Sequence, residues 1–120
     1  MAGSVRRVLL IGTALIGATV AAQAFMTSTQ LGNMQFAAPQ YAVLDSCLRA
    51  AGLPADLEKV FFEKINYACP GNPEQMSAIQ SAWDAAESAG GQCPPPGELP
   101  AAYEAAKQEF EKLIVEAWCN

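Results

Sequence analysis

The residues with covalent chemistry open to them are four cysteines, at positions 47, 69, 93 and 119 of a 120-residue chain. Thiols can bind zinc, act as nucleophiles or join as disulfides, and their spacing and neighbours separate these uses. Structural zinc sites take closely spaced cysteine pairs. The gaps here are 22, 24 and 26 residues, so no metal site is expected. The chain contains no histidine, which excludes Ser-His-Asp and Cys-His nucleophile systems and histidine-ligated zinc or haem. An even number of widely spaced cysteines in a small exported chain implies two disulfides.

Carboxylates are the other candidates. The 12 Asp and Glu residues could supply the acid and base of a glycoside hydrolase. Most of them fall on polar faces of predicted helices, where a solvated charge is the ordinary explanation. Asp45 and Asp84 alone lie close to the apolar stripes, and nothing in the sequence groups them. No Asp-x-Asp-x-Asp-Gly calcium loop occurs. The expectation is therefore a chain that is not an enzyme and takes no cofactor.

Residues 1–24 read as a cleaved signal peptide. Arg6 and Arg7 form a basic start, Val8 to Ala22 an apolar run, and Ala22-Gln23-Ala24 a small-x-small cleavage site. The run is shorter than the roughly 20 residues a spanning helix needs, and Gly12 and Gly17 interrupt it. Cleavage after Ala24 leaves 96 residues, enough for one small domain. It also lowers Lys+Arg from 7 to 5 against 12 acidic residues, a net charge of −7. Such a chain repels phosphate backbones and anionic lipid. Neither nucleic-acid binding nor stable membrane insertion after cleavage is expected, and the mature protein should be secreted, or periplasmic in a Gram-negative source.

The elements that position the cysteines follow from periodicity and end signals. Residues 25–39 show no sustained period and carry the turn formers Thr27, Ser28, Thr29, Gly32 and Asn33, which predicts a flexible N-terminal arm. The helical domain is placed at 40–120. Its first helix has Tyr41, Leu44, Cys47 and Leu48 on one face, an Asp45–Arg49 ion pair and a stop at Gly52. A second is expected from Pro54 to Cys69, with Leu57, Val60, Phe61 and Ile65 as its apolar stripe and Pro70-Gly71 as its end. Asn72-Pro73-Glu74-Gln75 opens a third, bearing Met76, Ile79 and Trp83 and ending at Gly90-Gly91. A proline-rich connector leads to a fourth from Leu99, with Tyr103, Ala106, Phe110, Leu113 and Ile114 on its inner face.

This is an all-α, four-helix bundle-like domain, and its geometry ranks the disulfide pairings. Short connections make the helices run alternately up and down. Cys47 and Cys93 then lie near the upper end, Cys69 and Cys119 at the lower. Pairing Cys47 with Cys69 would need to span roughly 15 Å of helix, against an ordinary Cα separation under about 7 Å. The predicted bridges are Cys47–Cys93 and Cys69–Cys119.

With no catalytic constellation, binding is the remaining class of function. The leading expectation is a small apolar ligand carried between the helices, in a cavity lined by Phe61, Phe62, Met76, Trp83, Tyr103, Phe110 and Trp118. Phe62 and Trp118 lie beside their helices' main stripes, so the apolar surface is wider than a minimal bundle requires. In general look such a domain is similar to secreted helical carriers such as the insect odorant-binding proteins, although the cysteine spacing departs from theirs. The alternative is a secreted protein–protein interaction module, an inhibitor, effector or signalling ligand working through an aromatic surface patch. A carrier hides Trp83 and Trp118 around a cavity, whereas a module leaves aromatic surface outside.

Overall fold

Helix formation begins well before the predicted start. In the computed structural model, which describes residues 25–69, 72–116 and 119, α1 runs Ser28–Ala50. Thr27 opens it with a reciprocal capping box: its Oγ1 accepts from the Gln30 N–H at 3.1 Å, and the Gln30 side chain accepts from the Thr27 N–H at 2.9 Å. Met34, Ala38 and Ala42, four residues apart, then form a fully buried stripe. Residues 28–39, expected as a flexible arm, are therefore the first half of α1. Just upstream, Met26 is also buried and its backbone is pinned by the Gln75 side chain, N–H to Oε1 at 2.8 Å and C=O to Nε2 at 2.9 Å. Pro39 sits inside the helix. Its missing N–H forfeits only a bond to the carbonyl of Gln35, an exposed residue.

Three further helices follow: α2 Leu57–Ala68, α3 Pro73–Ala89 and α4 Leu99–Glu116, the last entered through a single 3-10 turn at Pro96–Glu98. Helix α2 starts three residues later than the proline signal implied. Asn72 caps α3 by accepting from the Gln75 N–H, with Pro73 in its first turn, and Gly90 ends it at φ +73°. Gly52, at φ +74°, turns the chain after α1.

Cross-links fix the helix directions. Met26–Gln75 at one end and Cys47–Cys93 with Arg49–Glu87 at the other set α1 parallel to α3. Asp56–Tyr103, Lys64–Glu111 and Cys69–Cys119 do the same for α2 and α4. Helices α1 and α2, joined by a short turn, run antiparallel. This is the up-down alternation read from the sequence, with both bridges as paired there, at Cα separations of 5.6 and 5.4 Å. In the chain-entropy account each closes a loop long enough to contribute about 4 kcal/mol. The most extensive helix packing is between α1 and α3, where the small residues of both allow close approach. The α3–α4 connector also comes close: a Cβ on Gly91 would lie 2.9 Å from Val43 Cγ1. Among the described residues no helix is long and apolar enough to cross a membrane. The two disulfides suit an oxidising compartment.

Candidate binding groove

The core takes up Phe61, Phe62, Trp83 and Phe110, aromatic residues expected around a cavity. Phe61, Trp83 and Phe110 are fully buried. The Phe61 ring stacks on Trp83 at 5.7 Å, meets Phe62 edge-on at 5.2 Å and tilts against Phe110, also at 5.2 Å. Tyr41 completes the cluster with an edge contact to Phe110 at 4.6 Å. Rings at these separations leave no space for a guest between them. Met76 packs half-buried against the same core. Tyr103 also packs half-buried against the core and donates its hydroxyl to Asp56 Oδ1 at 2.6 Å beneath the Lys107 ammonium, 4.4 Å from the ring centroid. Trp118, like residues 1–24, expected as a signal peptide, and Pro70-Gly71, lies outside the described residues. Trp83 Nε1 is buried with no hydrogen-bond acceptor among the described residues.

Asp45 is grouped after all, with partners that the sequence separates by many positions. Its side chain is 1% exposed. Oδ1 accepts from the Leu57 N–H at 3.1 Å, and Oδ2 from Arg49 Nη2 at 2.8 Å. Asp56, at the N-cap of α2, makes no capping bond with its side chain, so Asp45 caps that helix from across the bundle. Carboxylate oxygens of Asp45, Glu58 and Glu87 lie within 4.8 Å of one another, and Arg49 Nη1 reaches Glu87 Oε2 at 3.4 Å. Gln80 Nε2 extends the network to Glu58 and Asp84, at 2.9 and 3.0 Å. Burial pushes the Asp45 carboxyl above its ordinary pKa; the Leu57 amide, Arg49 and the Glu58 amide oppose this, and the Glu58 charge reinforces it. Arg49 already supplies the positive charge here, and the network explains how α1, α2 and α3 are joined at their upper end.

The concavities open outward. One, of about 360 Å³, lies between α1 and α4. Asn33, Phe36, Ala37 and Tyr41 form one wall, and Glu109, Lys112 and Leu113 the other. The Tyr41 hydroxyl donates to Glu109 Oε1 at 2.7 Å across it; burial first, then this carboxylate, raise the tyrosine's pKa. Phe36 stands at the rim, 75% exposed. Smaller grooves of about 250 and 180 Å³ flank Tyr103 and Tyr67. None of the three brings together two of the residues expected to line a cavity.

None of the residues lining the α1/α4 groove is among those expected to line a cavity. A signal for them exists: residues 25–44 contain no charged side chain, while all 12 acidic residues lie at or beyond position 45. The exposed part of α1 before residue 45, including Thr29, Gly32, Asn33, Gln35, Phe36 and Gln40, is thus a neutral surface on an acidic protein. The fold and its bridges define the chain as a small all-helical, disulfide-bonded four-helix domain. No protein-family model, no curated protein and no solved structure matches it.

Proposed function

We propose that this is a secreted, non-enzymatic binding protein that engages a protein partner through the groove between α1 and α4. The observation that carries the reading is the placement of the aromatic residues. Phe61, Phe62, Trp83 and Phe110, expected around an internal cavity, form one contacting cluster, while Phe36 is presented to solvent beside an open groove. Charge depletion with aromatic enrichment is the compositional mark of an interface core, and the neutral stretch of α1 has both. A second reading is supported by the groove's volume: about 360 Å³ lies within the range of small-molecule sites, with Lys112 and Asn33 placed to hold a polar head.

The test is covalent capture. A photo-crosslinking phenylalanine analogue replaces Phe36, and in a control chain it replaces Ser88, exposed on α3. Each chain is irradiated in the fluid that surrounds the protein in its source. A protein-sized adduct formed from position 36 and not from position 88 is the expected outcome. An adduct of a few hundred daltons at position 36 selects the second reading, and no adduct, or equal capture from both positions, refutes both.

A further inference from the structure

Gly32 has no explanation among the described residues of the monomer. It lies inside α1 with helical backbone angles, it is exposed, and a Cβ built on it would meet nothing within 4 Å. Glycine is the least favourable ordinary residue in a helix interior, and alanine would fit. A helical glycine facing open space leaves room for close approach by something outside. One turn further on, about 6 Å along the axis, the same face projects Phe36, 75% exposed. A notch and a knob therefore sit side by side on one helix.

We infer that the partner of this face is a second copy of the chain, packed with its α1 antiparallel to the first about a twofold axis near Met34, so that Phe36 of each copy fills the notch at Gly32 of the other. The inference rests on the reading of the α1/α4 face as a contact surface, and it names the occupant. An isologous contact needs a self-complementary patch, which the adjoining knob and notch provide. In that register Asn33 lies beside Asn33 of the second copy on one flank of the contact and Gln35 beside Gln35 on the other, amides that each donate and accept. Charge points the same way. A cationic partner would seek the acidic surface formed by the later helices, whereas the neutral part of α1 suits a face equally free of charge. With a mature net charge of −7, two copies repel along their charged helices and can approach through 25–44, where no charged residue occurs.

The test uses the disulfide-bonded mature chain in sedimentation equilibrium, from about 1 μM to about 1 mM. The expected mass rises toward twice that of the chain with concentration. Phe36→Ala and Gly32→Ala each weaken association about tenfold or more. At the lowest concentration, where all chains are single, Gly32→Ala raises the melting temperature by about 3–6 °C. Opposite effects of one substitution on folding and association are the signature; Gly32→Ala that stabilises the monomer and leaves association untouched overturns the notch. A wild-type chain still monomeric at about 1 mM overturns the second copy altogether. In that case, capture of another protein from position 36 leaves the contact-surface reading standing, and capture of nothing removes both.

Discussion

Replacing Asp45 by alanine should destabilise the protein by about 2 kcal/mol at neutral pH, and the components can be worked separately. The Leu57 N–H, buried with its residue, loses its acceptor, and an unsatisfied buried donor costs about 1–3 kcal/mol. That bond is also the side-chain cap of α2, in the range of about 0.5–2 kcal/mol for a lost N-cap; the two figures describe one interaction and do not add. The Arg49 side chain is 52% exposed, so the ion pair contributes no more than about 1 kcal/mol. Release of a buried charge that faces Glu58 offsets part of the loss. Asp45→Asn keeps an oxygen for Leu57 and should cost about 1 kcal/mol or less. Urea unfolding followed by circular dichroism under non-reducing conditions measures both. With a slope of about 1 kcal/mol per molar urea, the alanine variant's midpoint falls by about 2 M. Equal losses for the two variants, or a loss under about 0.5 kcal/mol for alanine, would refute the cross-bundle cap.

Asp45 also sets a pH dependence. Its folded pKa lies above the ordinary carboxylate value, so the folded protein holds this proton more tightly than the unfolded chain. Between about 3.9 and that raised value, stability is lost as pH rises and regained on acidification, with a slope of at most about 1.4 kcal/mol per pH unit. Urea midpoints of wild type and Asp45→Asn should therefore diverge with pH in that window, and parallel curves would count against the assignment. Elsewhere, Gly91→Ala should cost about 1–3 kcal/mol, because the added Cβ meets the γ-methyls of Val43 at 2.9 and 3.1 Å and valine has little rotamer freedom. A double-mutant cycle with Val43→Ala should return a coupling of about 1 kcal/mol or more, and additivity would show that the approach is not tight.

Helices α2, α3 and α4 were legible because their apolar stripes are strong and their ends are marked, as at Asn72-Pro73 and Gly90. The disulfides followed from those directions without any contact being known. The first half of α1 was not legible. Its buried stripe is made of methionine and alanine, side chains that raise hydropathy little, and Gly32, Asn33 and Pro39 each signal a break. The Thr27–Gln30 capping box was the opposing local cue. The aromatic residues were correctly read as inward-facing in Phe61, Trp83 and Phe110, but sequence gives no measure of how closely rings fill the space they share. The groove escaped for a related reason: its walls come from α1 and α4, and half of the first wall lies in the segment read as an arm. Asp45 could be placed near an apolar stripe, whereas its bond to Leu57 depends on the turn that brings α2 back beside α1.

The order of the bridges along the chain has a consequence for survival under proteolysis. Cys69 falls within the loop closed by Cys47–Cys93, and Cys93 within the loop closed by Cys69–Cys119. Because the two loops overlap, a protease that cuts any one peptide bond between Cys47 and Cys119 leaves the pieces joined by at least one disulfide. A sequential pairing would let the chain fall into two at a single nick between its second and third cysteines. Here the severed ends stay tethered close to their folded positions, and losing a fragment takes a second cut or a reductant.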